Sequence, residues 1–187
     1  LEYTAARNGT SIMDLTPMCK YEIKGEGAHK FIDYLVTRDL SEMADNTVAY
    51  IIWCNEDGKV IDDGTIFKHS SKHFMLCCAV KILNWLNDSA IGFDVSIKDV
   101  TDTIAALSIQ GPTSCSTLKK YGADFLENMK PFEMKEFNID GYNVLISRTG
   151  FTGDLGYEMW TDPKNAEGMW DSVMEAGSLL KIRPFGM

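Results

Sequence analysis

Two acidic positions stand out against the apolar runs that hold them. In KVIDDGTIF, residues 59–67, Asp62 and Asp63 interrupt a β-branched run of the kind that fills half-buried strands. Successive strand residues face opposite sides, so one aspartate can meet solvent while the other must face whatever the sheet covers. A carboxylate kept from water without donors is costly. A strand retains one only for a structural hydrogen bond or for function. The plainer reading is that both aspartates cap a bulge at Gly64 and stay wet. Glu158 is the second position, in RTGFTGDLGYE, residues 148–158, between Tyr157 and Met159. Gly150, Gly153 and Gly156 ahead of it match neither a phosphate loop, which wants Gly-Lys-Ser/Thr, nor the G-x-G-x-x-G of dinucleotide sites. They read as a connection in which backbone passes close to a ligand or another strand.

Other chemistries find less support. His29, His69 and His73 fall on a helix or beside strand ends in polar company and read as surface residues. No serine sits in G-x-S-x-G, and no His, Cys and carboxylate group has the spacing of a zinc site. Cys19, Cys54, Cys77, Cys78 and Cys115 form no C-x-x-C pair; Cys77 and Cys78, inside FMLCCAV, read as two small core residues.

The elements that must position these residues follow from periodicity. CKYEIK, residues 19–24, reads as a strand, followed by a helix from about Glu26 with Ala28, Phe31, Ile32 and Leu35 on one face. TVAYIIWC and KVIDDGTIF read as strands joined by a turn at Asn55, Glu56, Asp57 and Gly58, since Asp-Gly between apolar runs is a strong hairpin signal. HFMLCCAV reads as a strand, KILNWLNDSA as a short helix and GFDVSIKDV as a strand. A second series repeats the order. IAALSIQ is a strand, PTSCSTLKKYG a helix ended by Gly122, FNIDGYNVLISRTG a hairpin and LGYEMW a strand. A last helix has Asp162 as N-cap, Pro163 at its first position, and Ala166, Met169, Trp170, Val173 and Met174 on one face up to Gly177. YEIKGEGAHKFIDYL aligns with LSIQGPTSCSTLKKY. The turn at Asn55 to Gly58 aligns with Asn138, Ile139, Asp140 and Gly141. This predicts two fused repeats, about 13–100 and 101–187, each strand, helix, hairpin, helix, with chance similarity of two αβ units as the alternative; either way the mix of hairpins and helices predicts an α+β fold with a largely antiparallel sheet and helices packed on it.

At 187 residues, 45% hydrophobic and 24% charged, the chain has ordinary globular composition. A formal net charge of −9, with lysines scattered, argues against nucleic acid and anionic lipid as partners. No apolar run is long enough to span a bilayer, and the odd cysteine count is not a secreted disulfide framework, so the expectation is a cytoplasmic protein. A start without Met, and a last stretch RPFGM whose turn leads nowhere, suggest a fragment of a longer chain.

NEDGKVIDD at 55–63, ALSIQGP at 106–112 and SRTGFTGDLGYE at 147–158, followed by Trp170-x-x-x-Met174 and RPFG, resemble the aminomethyltransferase family, the glycine cleavage T-protein and its relatives. The resemblance runs from about Met13 to the end and covers roughly the first half of a full-length member. It implies a fold of duplicated β-α-β motifs forming a folate-binding region, and a tetrahydrofolate-dependent transfer of a methyl or aminomethyl unit. The donor it implies is a small molecule, or an aminomethyl group on a lipoyl carrier protein. By position, Asp63 matches the catalytic aspartate near the reacting folate nitrogens, which makes it the inward member of the aspartate pair. Glu158 matches the glutamate that holds the pterin. Met18, Tyr50 and Leu76 match residues lining the folate pocket, and Phe67, Cys78 and Phe151 match further folate-contacting positions.

Some positions depart from the T-protein pattern. Its Asp-Val-Ser-His-Met is here Asp14-Leu15-Thr16-Pro17-Met18, without the histidine. Phe67 and Phe151 replace tyrosines, keeping ring surface but losing hydroxyls, and Cys78 replaces an asparagine. These changes draw the reading toward the tetrahydrofolate-dependent demethylases of the family. The competing reading is a non-enzymatic folate sensor or assembly factor of the same fold.

Overall fold

Alternating apolar residues place each strand's core face against helices, and this pattern occurs twice. The computed structural model describes residues 1–139 and 141–186; Asp140, expected in the second hairpin turn, lies outside them. In chain order the elements are α1 (Glu2–Asn8), β1 (Ser11–Asp14), β2 (Cys19–Lys24), α2 (Ala28–Leu35) and β3 (Thr47–Cys54). Then come β4 (Val60–Ser70), β5 (His73–Cys78), α3 (Leu83–Ser89), β6 (Ser96–Asp99), β7 (Ala105–Gln110) and α4 (Ser114–Tyr121). The series ends with β8 (Met134–Ile139), β9 (Tyr142–Ser147), β10 (Gly156–Thr161), α5 (Ala166–Ala176) and β11 (Arg183–Pro184). The fold is α+β with antiparallel sheets, as the repeats predict.

The chain divides into two compact units, one of residues 17–101 and the other of residues 1–16 with 102–187. The first holds a five-stranded antiparallel sheet in the order β3-β4-β5-β2-β6. One face is closed by α2 and α3: Phe31, Ile32, Leu35 and Leu86 pack on Tyr21, Ile23, Ile51, Trp53, Ile66, Phe74 and Leu76. The β3–β4 turn forms as read, with the Gly58 amide donating to the Asn55 carbonyl and Gly58 at a positive φ of 74°.

The second unit holds a six-stranded sheet in the order β11-β1-β7-β10-β9-β8, antiparallel except for the short β1–β11 pair. Leu118 and Tyr121 of α4 and Met169 and Val173 of α5 cover Ile12, Leu107, Ile109, Ile146, Tyr157 and Met159. Gly122 ends α4 in the left-handed region, as read, its amide donating to the Leu118 carbonyl at 3.1 Å. Asp162 accepts from the Lys164 amide, but it caps a short 3-10 turn, Pro163–Asn165, that precedes α5.

Two features depart from the sequence reading. Ser11–Asp14 forms a strand where none is expected, and it pairs with β7, so residues 1–16 belong with the later half of the chain. The irregularity expected at Gly64 lies earlier: Trp53 pairs with Asp62 and Cys54 with Val60, leaving Ile61 as the extra residue.

Candidate functional site

In the first unit, register decides what β4 presents. Asp62, Gly64 and Ile66 alternate onto the face closed by α2 and α3, since Ile66 pairs with Ala49 and Leu76, both in that core. Asp63, Thr65 and Phe67 therefore share the opposite face with Tyr50, Met75, Cys77 and Lys20. This corrects the expectation of an inward Asp63. Asp62 is the half-buried member, with a buried Oδ2 that accepts no hydrogen bond among the described residues, while Asp63 is exposed. The reason is parity. The face packed against the helices takes the even positions, and Ile66, which joins that helix-covered core where the equally buried Phe67 does not, fixes which these are.

Around Asp63 the face is polar at one end and apolar at the other. Tyr50 stands diagonally across from it on β3. The Asp63 carboxylate, accepting from the Tyr50 phenol, holds that phenol's pKa above its ordinary value. Lys20, fully buried on the same face, donates from Nζ to the Met18 carbonyl at 2.9 Å, which brings Met18 beside it. Phe67, Met75 and Cys77 bury the apolar end. A carboxylate beside a phenol on one face can orient an amine, and the carboxylate can stabilise a cation developing next to it.

Leu76 and Cys78, matched by resemblance to the folate pocket, are placed elsewhere. Both lie on the helix-covered face, fully buried in its core, because β5 alternates them with Met75 and Cys77. Burial pushes the Cys78 thiol up to about 12, and its Sγ donates to the Val80 carbonyl at 3.2 Å, so it behaves as a packing residue.

In the second unit the carboxylate of interest is more enclosed. Glu158 on β10 lies between Ser108 of β7 and Ser147 of β9, on the face opposite the helix-covered core. It is 8% exposed, and burial raises its pKa above the ordinary carboxylate value against one opposing hydrogen bond from Thr149. That bond is part of a directed chain. An indole N–H can only donate and an ionised carboxylate can only accept. Trp160 Nε1 therefore donates to Ser147 Oγ (3.4 Å), Ser147 to Thr149 Oγ1 (2.6 Å) and Thr149 to Glu158 Oε2 (2.6 Å). The chain commits both hydroxyls on the β9 side and leaves Glu158 with acceptor capacity to spare.

The glycine spacing in RTGFTGDLGYE has a local cause. A Cβ at Gly150 or Gly156 would lie 2.0 or 1.9 Å from Gln110 Oε1, so the two glycines make room for the buried Gln110 side chain. Gln110 Nε2 donates to the Thr149 carbonyl (3.2 Å) and the Tyr157 carbonyl (3.3 Å), and Thr152 Oγ1 donates to its Oε1 (3.2 Å). Gln110 thereby fixes Thr149, whose hydroxyl holds Glu158. Phe151, at the tip of this loop, is exposed and tilts against Phe185, ring centroids 6.4 Å apart.

Register thus groups Tyr50, Asp63 and Phe67 on one face with Lys20, separates Leu76 and Cys78 from them, and places Glu158 and Phe151 in the other unit. Sequence reasoning passed over Lys20, Ser108, Gln110, Ser147 and Thr149. A signal existed for two of them: Ser108 and Gln110 alternate with Leu107 and Ile109 in ALSIQ, which marks a polar strand face. Among the described residues no group of three or more His, Cys, Asp or Glu side chains could hold a metal ion, and no helix is long and apolar enough to cross a membrane.

A family model described as the GCVT N-terminal domain matches residues 1–187. The chain is 36% identical over 191 residues to an aminomethyltransferase of Clostridium botulinum (strain 657 / Type Ba4), and 34% identical over 190 residues to one of Thermotoga maritima. Both alignments cover 100% of this chain and 52% of the relative, so the chain spans about half the length of these proteins. Among solved structures, the glycine cleavage system aminomethyltransferase T from Bartonella henselae superposes with a TM-score of 0.84 at 21% identity, over 99% of this chain and 50% of that one. The heterotetrameric sarcosine oxidase from Corynebacterium sp. U-96 follows at 0.70 and 14% identity, over 99% of this chain and 93% of that one. At these identities the superpositions speak for the fold.

Proposed function

The chain belongs to the GCVT N-terminal domain family, and from that premise we propose that it is the folate-binding portion of a tetrahydrofolate-dependent one-carbon transferase. The carrying observation is Glu158, a carboxylate almost wholly buried and given a single hydroxyl donor. Burying such a charge costs free energy that a ligand with paired N–H donors offsets. The pterin edge of tetrahydrofolate has a ring N–H beside an exocyclic amino group, which fits the spare acceptor capacity of Glu158. The cofactor, when bound, supplies the amine nitrogens that take up the one-carbon unit.

The residues have separate roles in this reading. Glu158 accepts from the pterin donors, held in orientation by Thr149 and, through it, by Gln110. Asp63 acts at the transferring carbon: its exposed carboxylate orients the accepting amine and stabilises positive charge as the carbon leaves its donor. Tyr50 stands beside it, and Phe67 lies further along the same strand face. The donor is a small molecule or an aminomethyl group on a lipoyl carrier.

Calorimetric titration of the full-length protein with tetrahydrofolate tests this. Wild type should bind and Glu158→Gln should lose most affinity, since the amide puts an N–H donor where the carboxylate offered its second acceptor oxygen to the pterin. Equal binding by both proteins would overturn the role of Glu158. Binding without 5-methyl- or 5,10-methylene-tetrahydrofolate from any sulfonium, amine, methoxyaromatic or lipoyl-linked donor would turn the reading into a folate sensor.

A further inference from the structure

Ser108 lies directly across from Glu158 in the β7–β10 ladder, fully buried, with an Oγ that makes no hydrogen bond among the described residues. Such an orphan is costly, because its hydroxyl has given up water for nothing. On the opposite flank of Glu158 the Ser147 and Thr149 hydroxyls are both spent in the chain from Trp160. The two sides of the carboxylate are therefore unlike. The β9 side supplies structure, and the β7 side keeps one free O–H next to a carboxylate with unused acceptor capacity.

We propose that Ser108 is a further ligand-binding residue, whose hydroxyl donates to a carbonyl oxygen adjoining the ring N–H that Glu158 accepts. Resting on the folate reading above, this assigns the site a three-point pattern: two donors for Glu158 and one neighbouring acceptor for Ser108. The pterin edge has that order, exocyclic N–H, ring N–H, then the 4-oxo group. Directly opposed strand residues have Cβ atoms about 5 Å apart, which puts both side chains within reach of one ring edge.

The test uses full-length wild type, Ser108→Ala and Glu158→Gln, with tetrahydrofolate as the probe. Calorimetry should show Ser108→Ala weakening affinity about fivefold to tenfold, the loss of one hydrogen bond. The ligand-free Ser108→Ala protein should melt at the same temperature or higher, because the hydroxyl it loses is unpaired there. With tetrahydrofolate isotopically labelled at the 4-oxo group, the bound carbonyl stretch should move to higher frequency in Ser108→Ala than in wild type. Unchanged affinity and stretch in Ser108→Ala, with Glu158→Gln still failing to bind, would overturn the inference alone. A lower melting temperature of the ligand-free variant would also overturn it, showing the hydroxyl to be a structural donor. If wild type itself binds no tetrahydrofolate, the folate reading falls.

Discussion

Gly156→Ala places a methyl group where Gln110 sits. The new Cβ would stand 1.9 Å from Oε1, far inside contact, so the Gln110 side chain must leave its site. It would abandon the bonds to the Thr149 and Tyr157 carbonyls and from the Thr152 hydroxyl. At about 1 kcal/mol net each, the expected loss is about 3 kcal/mol, or roughly 6–12 °C in melting temperature for a chain of this size. The assay is urea unfolding followed by tryptophan fluorescence, run as a double-mutant cycle with Gln110→Ala. In the Gln110→Ala background the added methyl meets no side-chain amide and should cost less than about 1 kcal/mol. Equal costs in the two backgrounds would refute the claim that Gln110 is why this position is glycine. Tetrahydrofolate affinity should fall with Gly156→Ala, because Thr149 loses the contact that orients it toward Glu158.

Three further outcomes are expected. The folded pKa of Glu158 is raised, so the stability linked to this group is present below the ordinary carboxylate pKa and is lost as pH rises through the raised value. Glu158→Gln should therefore melt higher than wild type at neutral pH while failing to bind folate, and a lower melting temperature would contradict the assignment of a buried charge that one hydroxyl only partly offsets. Asp63→Asn should keep folate affinity within about tenfold, because in this reading Glu158 carries the pterin contact, but lose most transfer activity; unchanged turnover would remove Asp63 from the chemistry. In the same variant the Tyr50 phenol, read by ring-proton NMR, should titrate at lower pH than in wild type, and no shift would deny that Asp63 faces it.

Local rules made much of this protein legible in its sequence. The Asn55 to Gly58 turn, the face of α2 at Ala28, Phe31, Ile32 and Leu35 and the Gly122 stop depend on residues a few positions apart and form as read, while the Asp162 cap forms on the 3-10 turn ahead of α5. Alternation also required that Asp62 and Asp63 face opposite ways, since the strand period of two admits nothing else. Motif order picked out Asp63 and Glu158 as the carboxylates to examine. Which aspartate meets the core was decided by tertiary structure: β4 is apolar on both faces at Ile66 and Phe67, and only the helices on one side distinguish them. The same holds for Leu76 and Cys78, whose face follows from pairing with Ile66 and Gly64, and for β1, whose partner is almost a hundred positions away. The surroundings of Glu158 also belong to the fold. Ser108, Ser147, Thr149 and Gln110 come from separate strands and a loop, and their convergence on one carboxylate arises only when β7, β9 and β10 pair in register.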